Sequence, residues 1–334
     1  MRARITVIAP LLAVVALTAA CGSSGSSGTG GGSSASSGNA SGSKCAPVPG
    51  DKLVVLEDDK HLQNADNVIP AVNAAFSQSQ PALLPALNAV SAKLTTKDLV
   101  DMNAAVDVDR KSAEDVAAAW VEQSGVTDGL EKGSGPVAVG GAGFTESTVL
   151  ANVYADVLKA AGFDASVREV GSRELYLKAL EAGTEIQAFP EYLATVTEFL
   201  DADDARQVAS GDVDATLAAL QPLAQAAGLA FGEPSQAVDQ NAFAVTTAFA
   251  EKVGVKTLSE LADACSDGSL VLGGPAECPT RPFCQPGLEE TYGLKFGSFQ
   301  EYGDTGGPLT KAAIQKGEVS IGLVFSSDGA LAQG

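Results

Sequence analysis

Short apolar segments alternate with helical segments along most of the chain, and this order constrains the fold more than any other feature. Residues 136–139 predict a strand, residues 140–143 a glycine loop, and Thr145 the N-cap of a helix that ends near Ala161. The same order recurs with further predicted strands at residues 166–170, 186–189, 270–272 and 319–325. The chain is therefore predicted to be an α/β protein with mostly parallel central sheets.

The region before these units has the same mixed character. Residues 52–56 form a continuous apolar run closed by three acidic residues, a pattern typical of a strand buried on both faces of a parallel sheet. Thr96 and Ser112 are placed as helix N-caps.

The N-terminal 44 residues predict an export signal and an anchor rather than folded structure. Residues 1–20 carry two arginines and then an apolar stretch, which is typical of a signal peptide. Cys21 follows small residues as in a bacterial lipobox and is the expected lipidation site. Residues 21–44 then form a tether rich in glycine and serine. The remaining residues exceed one compact domain, so two lobes are predicted, at 45–239 and 240–334.

Composition excludes several classes of function. The chain has 41 acidic and 21 basic residues, a net charge of −20, and no basic stripe, so no nucleic acid partner is expected. One histidine, His61, is too few for the usual zinc sites, and no metal and no cofactor are predicted. Glu146 stands where a dinucleotide fingerprint requires its third glycine. No nucleophile accompanies Glu146, so the chain is not expected to be an enzyme.

Seven short motifs carry a family resemblance. They are Leu56–His61, Gly143–Glu146, Phe189–Tyr192, Thr280–Pro282, Pro286–Leu288 with Tyr292–Phe296, Lys316–Val319 and Ser327–Gly329. Together they resemble the glycine betaine, choline and osmoprotectant substrate-binding proteins of ABC importers. The resemblance implies a two-lobe periplasmic-binding-protein-like (type II) clamshell, circularly permuted because the segment 53–130 comes last in the family. In this order a single chain crossing, near residues 239–243, is expected between the lobes.

The family resemblance also implies the function and its partners. The chain is expected to be an exported lipoprotein, anchored at the outer face of the bacterial cytoplasmic membrane and acting as a monomer. It would bind a small-molecule ligand between its lobes and deliver the ligand to an ABC permease with its ATPase. One alternative is the same fold binding a polyol, an amine or a phenolic compound for uptake or sensing. Another is an extracellular enzyme.

The ligand-binding residues are carried over from the family position by position. Tyr192, Thr195 and Phe325 match its pattern, whereas Asp66 and Asn241 replace aromatic rings of the family's cage and Ser147 replaces a glutamine. Asp239 precedes Asn241 and adds a second carboxylate. These seven residues are the predicted ligand site.

Four cysteines remain after Cys21, an even number in an exported protein. Cys278 and Cys284 bracket a short loop bounded by prolines and are expected to pair. Cys45 would then pair with Cys265 and tie the two lobes together. The alternative is that Cys265 pairs within its own lobe while Cys45 is free or linked to the tether.

Overall fold

The computed structural model describes residues 44–171, 173–201, 207–304 and 306–333. The predicted signal peptide, Cys21 and all of the tether except Lys44 lie outside the described residues. Within the described residues the strands form two five-stranded sheets. Among these residues no helix combines the length and apolar character needed to cross a membrane.

The two sheets define two lobes. In lobe 1 the sheet order is β4-β3-β5-β2-β6, with β2 at Val68–Asn73, β3 at Pro136–Gly141, β4 at Asp164–Glu169, β5 at Ala188–Tyr192 and β6 at Leu229–Phe231. In lobe 2 the order is β1-β7-β10-β8-β9, with β1 at Leu53–Leu56, β7 at Asn241–Thr246, β8 at Leu270–Gly274, β9 at Phe296–Glu301 and β10 at Ile321–Phe325. In each sheet four strands share one direction and one strand, β2 or β7, opposes them.

The helices cover both faces of each sheet. Those of lobe 1 are α1 Ala74–Ser79, α2 Leu83–Ser91, α3 Thr96–Asp107, α4 Ala113–Ser124, α5 Thr145–Ala160, α6 Arg173–Ala182, α7 Leu193–Leu200 and α8 Val213–Ala226. Those of lobe 2 are α9 Thr247–Val253, α10 Leu258–Ala264, α11 Gln285–Gly287 and α12 Pro308–Lys316. Shorter 3-10 or π turns lie at Cys278–Thr280, Leu288–Tyr292 and Gly329–Gln333. The turn at Gly329–Gln333 packs against α3 of lobe 1.

Each central strand is apolar on both sides because it faces two cores. In β2, Val68 and Val72 enter one hydrophobic cluster, while Ile69 and Ala71 enter the cluster on the other face of the sheet. In β7 the side chains alternate between two clusters of lobe 2 in the same way. This double burial explains the continuous apolar runs in the sequence.

The structure corrects the predicted lobe boundary. β1 pairs antiparallel with β7, with Leu53 opposite Thr246, so residues 45–62 belong to lobe 2 and not to lobe 1. Within the described residues the chain therefore crosses between the lobes at residues 63–67 and at residues 238–241, instead of at one place. β1 is also an edge strand, and the prediction of a strand buried in a parallel sheet is wrong. A short apolar run does not encode which sheet will accept it.

Both predicted disulfides are present, as Cys45–Cys265 and Cys278–Cys284. The alternative pairing of Cys265 is therefore excluded. The expected link between lobes is wrong, however, because both Cys45 and Cys265 lie in one hydrophobic cluster of lobe 2. The bridge instead fastens the start of the folded chain to the C-terminal end of α10.

The N-caps were predicted with mixed success. Ser112 caps α4 by accepting a hydrogen bond from the backbone N–H of Asp115, as expected. At α3 the cap is Thr95 and not Thr96. At α5 the N-cap is Phe144, and Thr145 instead donates its hydroxyl hydrogen bond to Asp107 at 2.7 Å.

Candidate functional site: a cleft with three carboxyl groups

Three adjoining cavities lie beside the two chain crossings, and each is named here for one residue in its lining. The Arg173 cavity, of about 500 Å³, lies within lobe 1. The Lys311 cavity, of about 610 Å³, is lined from both lobes, and the Asp66 cavity, of about 390 Å³, lies at the crossings themselves. Phe144 lines the first two cavities, while Asp239 and Phe325 line the last two. The shared residues show that the three cavities adjoin, and together they are called the cleft.

Three aromatic rings line this cleft, two from the ends of strands and one from a loop. Tyr192 is the last residue of β5 and is almost completely buried. Its ring stacks on that of Phe144 with centroids 6.5 Å apart. Phe325 ends β10 and remains 38% exposed, so its ring is open to a ligand. Aromatic faces of this kind attract cations.

Glu146 is the first buried carboxyl group of the cleft. It lies in the first turn of α5, where a negative charge is favoured by the helix dipole. Its carboxylate accepts hydrogen bonds from the Tyr192 hydroxyl and from Asn103 Nδ2, each at 2.7 Å. Burial raises the pKa of Glu146, and the bonds from Tyr192 and Asn103 act in the opposite direction. Glu146 is not among the seven predicted ligand residues, although the Gly143–Glu146 motif contains it.

Asp66 is the second carboxyl group of the cleft; it is half-buried, and Thr195 holds it in place. The Thr195 backbone N–H donates to Asp66 Oδ1 at 2.9 Å, and the Thr195 hydroxyl donates to Oδ2. Burial raises the pKa of Asp66 to about 6 despite these two bonds. The structure thus brings the predicted residues Asp66 and Thr195 into direct contact, with the threonine positioning the carboxyl group.

Asp239 is the third carboxyl group and lies on the second chain crossing. Its Oδ1 accepts a hydrogen bond from the Ser327 hydroxyl at 2.8 Å, and its backbone N–H donates to the Asp66 carbonyl at 3.2 Å. No donor among the described residues reaches Oδ2. Burial, and then the charge of Glu146, raise the pKa of Asp239 to about 7.

The basic groups of the cleft are already paired. Lys311 forms an ion pair with Asp328, and both side chains are largely buried. Arg173 pairs with the fully buried Glu191 at 3.1 Å. These two bases are therefore neutralised by partners other than the three carboxyl groups. The cleft as a whole offers aromatic faces and hydrogen-bond acceptors to a positively charged ligand.

Six of the seven predicted ligand residues line two of the three cavities. Asp66, Thr195, Asp239, Asn241 and Phe325 all line the Asp66 cavity, and Tyr192 lines the neighbouring Arg173 cavity.

The structure places Ser147 outside the lining of the three cavities, and its role in ligand binding stays a prediction. Ser147 is fully buried, lines none of the three cavities, and its hydroxyl accepts a hydrogen bond from the Ala142 backbone at 2.9 Å. Its side chain therefore closes the glycine loop before α5. In the described part of the chain, no group of three or more histidine, cysteine, aspartate or glutamate residues is arranged to hold a metal ion.

Comparison with known families identifies the fold. A model of the substrate-binding domain of ABC-type glycine betaine transport systems (OpuAC) matches residues 48–123 and 135–333. The chain belongs to this family. The family has the type II periplasmic-binding-protein fold, is extracytoplasmic, and consists of solute-binding domains rather than enzymes. No curated protein matches the chain.

Proposed function

We propose that this glycine betaine-family protein binds a small solute with a cationic group in the cleft between its lobes. The observation that supports this role is the group of adjoining cavities near the two chain crossings, whose linings combine Tyr192, Phe144 and Phe325 with the carboxyl groups. Binding to both lobes would shift an equilibrium between open and closed forms. The closed form would then be recognised by an ABC permease powered by a cytoplasmic ATPase.

We also propose that the protein acts as a monomer, attached to the outer face of the cytoplasmic membrane through lipidated Cys21. A diacylglycerol group together with an N-acyl chain gives stable attachment. Mass spectrometry of the protein from the membrane fraction tests whether Cys21 carries lipid. Cys21→Ser is expected to release the protein into the medium. Circular permutation relative to the family stays a prediction, which a strand-by-strand comparison with another family member would test.

Calorimetric titration of the purified protein with betaine, choline, carnitine, amines, polyols and phenolic compounds tests the binding role. A true ligand should also raise the melting temperature with its concentration. Deletion of the gene is expected to abolish cellular uptake of that ligand if the protein serves transport. Unchanged uptake together with tight binding would favour the sensing role, and turnover of the ligand would favour an enzyme.

A further inference from the structure

Building on the proposed function, we propose that the ligand is a small ammonium compound that carries at least one N–H donor and no carboxylate. Its ammonium group lies in the Lys311 cavity between Asn103 and Asp239, with the Phe325 ring against its carbon atoms. The proposal rests on the hydrogen-bonding state of these three side chains.

Asn103 presents a buried acceptor without a donor. Its side chain is 6% exposed and lines the Lys311 cavity. Both hydrogens of Nδ2 are used, by Glu146 Oε2 at 2.7 Å and by the Ser327 carbonyl at 2.9 Å. Among the described residues nothing donates to Oδ1. A buried acceptor left unpaired is costly, so a ligand that donates to it gains affinity.

Asp239 supplies a second acceptor beside the same cavity. Ser327 occupies its Oδ1, while Oδ2 faces no donor among the described residues. An ammonium N–H directed at Oδ2 would form a charge-assisted hydrogen bond, which is about twice as strong as a neutral one. A quaternary ammonium group has no hydrogen for either Asn103 or Asp239, and therefore satisfies neither acceptor.

The charges around Asp239 disfavour a ligand carboxylate. Asp66 approaches from the first chain crossing, Glu146 from α5 and Asp328 from the C-terminal segment. Lys311 of α12 is the base in the lining of this cavity, and Asp328 already neutralises it. A zwitterion would bring its negative end into this field, whereas a simple cation would not.

Isothermal titration of the full mature protein with a methylation series tests the proposal. The probes are ethanolamine, N-methylethanolamine, N,N-dimethylethanolamine, choline and glycine betaine. We expect the affinity to fall at least tenfold between the dimethyl compound and choline, where the last N–H is lost. Betaine is expected to bind more weakly than choline.

Two variants separate the role of the carboxylate from general charge effects. Asp239→Asn is expected to reduce the affinity for ethanolamine at least tenfold. Asp101→Asn removes the same charge from an exposed position of α3 and should change that affinity less than twofold. If Asp239→Asn fails to fold, the methylation series on the unmodified protein still decides the question.

Choline or betaine binding as tightly as ethanolamine would overturn the inference while leaving the solute-binding role intact. Failure of every probe to bind would also overturn it. The uptake experiment, which does not depend on these probes, would then judge the proposed function separately.

Discussion

At the scale of single residues, three carboxyl groups line adjoining cavities of the cleft. Glu146, Asp66 and Asp239 are held by neutral donors rather than by bases, so their negative charges repel one another across the cleft. Protonation relieves that repulsion in the empty protein, and a bound cation relieves it in the complex. The carboxyl groups proposed to attract a cationic ligand are therefore groups that lower the stability of the empty protein.

This arrangement predicts that the empty protein is less stable at pH 8 than at pH 5. The pKa is raised to about 6 for Asp66 and about 7 for Asp239, above the ordinary value of 3.8. The folded protein thus holds these protons more tightly than the unfolded chain. Their contribution to stability is full below about pH 4 and is lost as the pH rises through 6 to 7. Urea unfolding at the two pH values, without ligand, measures the difference.

Asp239→Asn should make this pH dependence shallower, because the amide does not ionise. Asp101→Asn is the matched control and should leave it unchanged, since Asp101 is exposed. An unmodified protein whose free energy of unfolding rises steadily from pH 5 to pH 8 would contradict the prediction.

At the scale of elements, α3 and α5 place the acceptors of the cleft. α3 carries Asn103 near its C-terminal end, and α5 carries Glu146 in its first turn. α3 begins with a capping box, in which Thr95 accepts a hydrogen bond from the Asp98 backbone at 3.2 Å and the Asp98 carboxylate accepts one from the Thr95 backbone at 2.9 Å. The start of α3 is therefore fixed by its own sequence.

Thr95→Ala is expected to lower the free energy of unfolding by about 1 kcal/mol, because it leaves an N–H group of the first turn without its partner. Chemical denaturation measures this change. Thr95→Ser keeps the hydroxyl group and should retain most of the stability. Equal losses in both variants would show that the methyl group of Thr95, and not the cap, carries the effect.

At the scale of the whole molecule, the covalent links that bear on lobe movement are the two chain crossings and one long-range disulfide. The crossings at residues 63–67 and 238–241 lead into the two reversed strands, β2 and β7. The Cys45–Cys265 bridge closes a separation of 220 residues, yet both ends lie in lobe 2. The bridge therefore stabilises one lobe without restricting movement between the lobes.

Removing the Cys45–Cys265 bridge with paired alanines should destabilise the protein more than removing Cys278–Cys284. The separations are 220 and 6 residues. The chain-entropy argument then gives losses of about 5 and about 2 kcal/mol. Guanidinium unfolding of the two double variants compares them. Small-angle scattering of both double variants, with and without ligand, should show the same lobe closure as in the unmodified protein. A larger closing movement in the variant without the Cys45–Cys265 bridge would show that this bridge restricts movement between the lobes.

The sequence by itself determined the local elements and part of the lining of the cleft. Periodicity and glycine loops predicted the strand-helix units. The short loop between Cys278 and Cys284 predicted one disulfide, and the Cys45–Cys265 pair followed by elimination. Asp66 and Asp239, which line the Asp66 cavity, were predicted by carrying the family's ligand positions over to this chain. Patterns of this kind depend on neighbours along the chain, which are visible in the sequence.

Only the tertiary structure decided which lobe accepts β1, because an apolar run of four residues fits the edge of either sheet. It also decided that Ser147 turns inward, since its hydroxyl satisfies the Ala142 backbone group, and that Asn103 reaches Glu146 from a helix 43 residues earlier in the chain. Contacts of this kind bring together groups that are distant in sequence. Their free energy depends on burial and pairing in the folded state, which local sequence patterns do not specify.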